Sequence, residues 1–290
     1  MSTLSALKSK VLKLINKSGY DLTKIETEGL DFPIIKEDMY NPEKIIFFAK
    51  LNKLPFLCYV PPKHLQGHVM NFNFDDENHP FKKAVLNAIK ENKKKKAIKN
   101  SLEGFYEETT PSNAAEVLGL KDKDLPVLSE KEPWLAVHPW ENRTLEEVKK
   151  KRPNQTNREN KKNGKDISID EGWHLFGPVS EDKLEVEAKR VFEVLKKVQK
   201  DGYKAYNNYN NISTTILIDH EKDKMKWVVY DGQHRTSVLS ALNYKKIPVL
   251  VKSIVSRSDV EFWPGVENGD FSKEAALKIF DRVINEKPSY

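Results

Sequence analysis

Between residues 212 and 255 the chain alternates strand and helix patterns with almost no slack, and few folds accommodate that. ISTTILID (212–219) is a β-branched run of strand length. HEKDKM reads as a turn, and KWVVY (226–230) as a second strand, a hairpin partner or near neighbour of the first. Asp231-Gly232 follows at once, then QHRTSVLSALNY with the character of a helix, then a third apolar strand, IPVLVKSIV (247–255). Upstream, EGWHLFGPVS is a short extended segment. Ser180 is placed to cap a helix over EDKLEVEAKRVFEVLKKVQKDGY, with acids in its first turn and Lys in its last. Leu184, Ala188, Val191, Phe192, Leu195 and Val198 repeat there at three and four, and Gly202 ends the helix. A loop and a final amphipathic helix complete the chain. The pattern predicts an α+β fold.

The 290 residues allow one large domain or two ordinary ones. The organisation expected is a mixed α/β N-terminal region over 1–130, a Trp/Pro segment and polar linker over 131–170, and a domain over 171–290. Residues 4–17 form an amphipathic pattern, read as a docking helix, with peripheral contact to an anionic membrane as the alternative. Residues 44–60 are apolar and β-prone, 80–100 read as a basic helix, and 111–119 as a short helix with Ser112 at its N-cap. KKKRPNQTNRENKKNGKD holds no apolar stripe and reads as a mobile loop or linker. His64, His68 and His79 lie near Asp75, Asp76 and Glu77. A polar loop is favoured there over a metal site, because Gly67 argues against a helix holding two of the histidines on one face.

Composition narrows the function classes. The net charge is +6, yet seven of the 49 basic residues are Arg and the other 42 are Lys. Reading base edges and phosphates favours the Arg fork, so nucleic acid is not the expected partner. The single cysteine, Cys58, excludes an internal disulfide or a Cys-based zinc site. No run of about 18 apolar residues is present to cross a membrane. The first residues lack the apolar core of a secretory signal, and the cytoplasm is the expected compartment.

The chemistry concentrates at VVYDGQHRTS (228–237). A buried strand stops at Asp231-Gly232 and a helix starts, so the free amides of its first turn offer an anion site. Gly232 allows close backbone approach, His234 and Arg235 add a switchable and a permanent cation, and Thr236 and Ser237 add hydroxyls. The competing reading has Asp231 capping the helix, Arg235 paired with a surface carboxylate, and His234 merely polar.

The order of a short strand at 175–178, a helix ending in KDGY, a strand, VVYDGQHR, a helix ending in LNY, then KIPVLV resembles the ParB/sulfiredoxin-like superfamily, in particular its DGQHR-type members. The resemblance covers about residues 172–256. Residues 134–140 and the tail from Asp259 also resemble a bacterial subgroup of that fold. It implies a loop that grips phosphates of ATP, ADP or CTP, carried here by Asp231, Gly232, Gln233, His234 and Arg235, with Mg²⁺ as a possible companion. Sulfinic acid reduction is not implied, because Gln233 stands where the reductases have their cysteine. The clamp-forming DNA binders' second motif and helix-turn-helix are missing as well.

Two functions are therefore expected. The first is a nucleotide-dependent phosphotransferase acting on a small metabolite or sugar. In it, His234, Arg235 and the helix N-terminus meet the phosphates, Asp231 holds Mg²⁺ or acts as base, and Trp173, His174 and Glu187 are pocket candidates. The first-helix acids Glu181, Asp182 and Glu185 are further base candidates or simply partners of the helix dipole. The alternative is a non-catalytic nucleotide- or phosphate-binding module that docks a partner protein. A DNA-associated role ranks lower, and nuclease chemistry lowest.

Overall fold

The computed structural model describes residues 33–35, 40–52, 54–92, 94–120, 126–203, 205 and 211–287. The expected helix at 4–17 lies outside them. In chain order the regular elements are β1 (Ile34–Ile35), α1 (Pro42–Asn52), β2 (Phe56–Val60), β3 (Leu65–Gly67), α2 (Pro80–Lys90) and α3 (Lys95–Glu108). Then come α4 (Ala114–Val117), α5 (Pro126–Ser129), α6 (Leu145–Lys162), α7 (Glu181–Asp201), β4 (Ile212–Asp219) and β5 (Lys224–Asp231). The chain closes with α8 (Gln233–Ala241), β6 (Ile247–Ser256), α9 (Pro264–Glu267) and α10 (Lys273–Ile284). This is a mixed α/β architecture on one six-stranded sheet, ordered β1-β2-β6-β4-β5-β3. β4 and β5 form the expected antiparallel pair, and β6 returns parallel to β4 after α8.

The N-terminal strands are part of that same sheet. β2 pairs antiparallel with β6, and β3 pairs parallel with β5 at the other edge. Strands β1, β2 and β3, from the N-terminal region expected over 1–130, therefore share one sheet with the strands of residues 212–256. Side-chain alternation explains the two-sided packing. Ile35, Cys58, Val249 and Ile212 line up across four strands and enter the large core, whereas Ile34, Leu57 and Leu250 share the opposite face with Ala205 in a smaller cluster. All eight residues of β4 are buried, as a central strand covered on both faces requires. Each fully buried Val, Leu or Ile contributes about 1.5–3 kcal/mol.

Two segments differ from their sequence patterns. Residues 42–52 are helical, with strand only at 56–60. Pro42 stands in the first turn, the Asn41 carboxamide accepts from the Lys44 amide at 3.0 Å, and Ile45 and Phe48, three apart, enter the core. The polar stretch expected as a linker is the 18-residue helix α6, opened by a capping box between Thr144 and Glu147. Its buried stripe is Val148, Arg152, Thr156 and Asn160, spaced by four but largely polar, so hydropathy does not reveal it. Arg152 lies over the Trp173 ring at 4.5 Å and donates to the Ala136 carbonyl at 3.0 Å. Asn160 donates to the Ile167 carbonyl at 3.1 Å and accepts from Lys183 at 2.9 Å. The basic stretch 80–100 forms two helices, α2 and α3. Asn113, rather than Ser112, caps α4, accepting from the Glu116 amide at 2.9 Å.

Candidate functional site

β3 and β5 run parallel, with Gly67 opposite Val229, so both chains leave the sheet at the same end. His68 follows β3 there, and the Asp231–Arg235 turn follows β5. Loops and helix starts at the C-terminal ends of parallel strands are where open α/β sheets place ligands.

The turn has the backbone expected of it. Gly232 is the N-cap of α8 with φ 96°, in the left-handed region, and no side chain caps the helix. A Cβ there would lie 2.9 Å from Ile212 Cγ1. Asp231 is thus not the cap. Its exposed carboxylate accepts instead from Arg235 at 3.2 Å, across the turn. The Arg235 side chain keeps 19% of its surface in solvent. Gln233 turns inward and donates to the Val229 carbonyl at 2.5 Å, pinning the helix to its strand.

Four expected phosphate-binding residues, Gln233, His234, Thr236 and Ser237, differ from their expected role. Thr236 and Ser237 are wholly buried, and their hydroxyls donate to the Gly232 and Gln233 carbonyls, each at 2.9 Å. They serve the helix's own backbone. His234 also points inward, its ring 4.6 Å from that of Phe81 in an edge contact. Burial, with the Arg190 charge adding to it, pushes its pKa down to about 3. It is a neutral imidazole near pH 7, so the switchable cation is not available to a phosphate.

Behind His234 sits Glu187, from the middle of α7. Its Oε2 is 3.4 Å from His234 Nε2, without hydrogen-bond geometry. Lys183 Nζ donates to Glu187 Oε1 at 2.7 Å, and Arg190 donates to both carboxylate oxygens at 2.9 and 3.0 Å. Arg190 also meets Glu159 at 3.2 Å. Burial alone would raise the Glu187 pKa, but Arg190 and Lys183 together hold it well below the usual carboxylate range. His174, its ring 6.1 Å from that of His234, is likewise held neutral by burial, and Trp173 packs against Phe176 in the core. The structure therefore brings His234 and Glu187 together in a buried unit with the half-buried His174 at its edge, and leaves Asp231 and Arg235 at the surface. Glu181 and Glu185 pair with Lys99, Glu185 also with Lys95, and Asp182 pairs with Lys165, all in exposed or partly exposed ion pairs.

A second buried cluster lies on the other side of the β5 terminus, and the sequence reading did not assemble it. His68 Nε2 is 2.8 Å from Glu141 Oε1, which also accepts from the His138 amide at 2.9 Å. His138 Nδ1 stands 3.7 Å from the same oxygen and 3.3 Å from the Tyr230 hydroxyl, which Trp140 Nε1 donates to at 2.8 Å. Arg143 closes on Glu141 Oε2 from the solvent side. Burial lowers both imidazoles. It would raise Glu141, but His68 and Arg143 outweigh it and hold the carboxylate well below its usual range. The available signal was His138-Pro-Trp-Glu141, a histidine and a carboxylate three apart. The loop histidines grouped in the sequence part company: His64 stacks on Tyr40 at 4.4 Å and His79 on Phe74 at 4.5 Å.

Two surface hollows of about 410 and 450 Å³ open elsewhere, the first beside Tyr40, His64, Lys224 and Lys226, the second beside Asn71, Phe72 and Asp75. Neither is lined by residues 231–237. Comparison with protein-family models, curated proteins and solved structures finds no match to this chain.

Proposed function

We propose that the Asp231–Arg235 turn binds a phosphate group of a nucleotide or phosphorylated metabolite, and that the chain acts as a binding module. The observation that carries this reading is the left-handed Gly232 at the N-cap of α8. It leaves the first-turn amides without a side-chain cap and sets them beside the Arg235 guanidinium. A phosphate would take Arg235 from Asp231, an exchange at the surface that costs little.

The phosphotransferase reading has less support. Phosphoryl transfer needs a base for the acceptor hydroxyl. The carboxylate closest to His234 is committed to Lys183 and Arg190, and Asp231 is an exposed partner of Arg235.

Calorimetric titration with ATP, ADP, CTP and inorganic phosphate, with and without Mg²⁺, tests the proposal. Binding is expected without release of nucleoside diphosphate. Arg235→Ala should weaken it by about 1.5–3 kcal/mol, the size of a hydrogen bond to a charged group. Failure of the folded chain to bind any of the four, or equal affinity in Arg235→Ala, would remove the turn as a site. Nucleotide turnover would restore the phosphotransferase.

A further inference from the structure

We propose that His68, His138 and Glu141 bind one divalent transition-metal ion of the zinc class per chain, at the C-terminal end of β3. Each residue offers a ligand atom, and the three atoms lie within 4.8 Å of one another, all on buried side chains. Two of the separations are 2.8 and 3.7 Å, both measured from Glu141 Oε1. Ligand atoms on a tetrahedral zinc with bonds of about 2.0–2.2 Å stand roughly 3.3 Å apart. Small side-chain rotations therefore convert the cluster into a coordination shell. Two imidazoles and a carboxylate suit zinc, iron, nickel or copper, and leave room for a water as a further ligand.

The surroundings favour a metal over plain packing. His138 is wholly buried, and its Nδ1 turns toward the Glu141 carboxylate and away from any backbone acceptor. Its useful atom is Nδ1, which faces Glu141 and Tyr230. His68 is held by a tight loop in which Val69 and Asn71 adopt φ of 44° and 56°, a conformation a β-branched residue rarely accepts. The Tyr230 hydroxyl, fixed by Trp140, stands beside Nδ1 as an outer partner or as a fourth donor.

Arg143 is the competitor. It pairs with Glu141 Oε2 while 38% of its side chain faces solvent, so it can swing out when a dication takes over the charge of the carboxylate. The metal and the Arg143 contact are then alternatives, and removal of Arg143 strengthens metal binding.

The test uses the full chain, stripped with a chelator and titrated with Co²⁺ followed by its visible ligand-field bands, and with Zn²⁺ against a chromophoric chelator. One equivalent per chain is expected. His68→Gln and His138→Gln should each weaken binding by at least about 100-fold, more than loss of a supporting partner does. Arg143→Ala, altered at a half-exposed position, remains informative should the histidine variants fail to fold. It should bind Co²⁺ about tenfold more tightly. Absence of binding in both the native chain and Arg143→Ala would overturn the proposal. So would an Arg143→Ala affinity no greater than that of the native chain, or binding indifferent to both histidine substitutions in folded protein.

Discussion

Glu187 and Glu141 are both buried carboxylates flanked by imidazoles near the end of β5, yet their charge balance differs. Glu187 is fixed by two cations on its own helix, Lys183 four residues before it and Arg190 three after it; Lys183 is itself wholly buried, and Arg190 is tied to Glu159 as well. Glu141 has a single cation, Arg143, whose side chain reaches water, and its other partners are a neutral ring nitrogen and a backbone amide. The first cluster is a closed structural unit that locks α7 against α6 and α8. The second has an exchangeable cation. A buried carboxylate near a suspected site is thus no evidence of catalysis until its partners are counted.

The contrast can be broken most sharply at Glu187. Glu187→Gln should cost about 3–5 kcal/mol in urea denaturation, because the wholly buried Lys183 is left without its counter-charge. A loss under about 1 kcal/mol would show that the unit is not closed. Acid comes next. His234 and His79 fall to about 3 from an ordinary 6.5, so the unfolded chain binds more protons between those values. Stability therefore rises with pH through that window, by up to about 1.4 kcal/mol per unit for each such histidine. Glu187 and Glu141, held below their ordinary range, act in the same direction below about 4.5. Melting temperatures that stay level from pH 6.5 down to 4.5 would contradict neutral burial.

Smaller effects belong to the open cluster. Glu141→Gln keeps an oxygen for the His68 and His138 donors, and should cost about 1.5–3 kcal/mol through its charged hydrogen bonds. Arg143→Ala should cost about 1.5–3 kcal/mol by chemical denaturation, because it leaves the buried Glu141 carboxylate without its cation. If these two losses equalled that of Glu187→Gln, the clusters would be equivalent and Arg143 no longer exchangeable.

Local signals read well wherever one element's own residues decided its structure. Ser180 caps α7, accepting from the Lys183 amide at 3.1 Å, and Gly202 ends it, because a hydroxyl and a missing Cβ answer needs within a single turn. The strand–Gly232–helix junction was legible for the same reason. The helix α6 was not. Its buried stripe is polar, and Arg152 and Asn160 are satisfied by carbonyls and side chains from residues 134–136, 167 and 183, which no window on the sequence contains.

The sequence by itself determined where the chain turns, which helices are amphipathic, and that Asp231-Gly232 ends a strand against a helix start. Those are matters of periodicity and φ preference between near neighbours. Only the tertiary structure decided that β2 and β3 flank the C-terminal strands, that His234 faces Phe81 and Glu187 rather than solvent, and that His68 meets Glu141. Burial and long-range pairing set the protonation and reach of a side chain, and both depend on residues distant in sequence that only the folded sheet brings within a few ångströms.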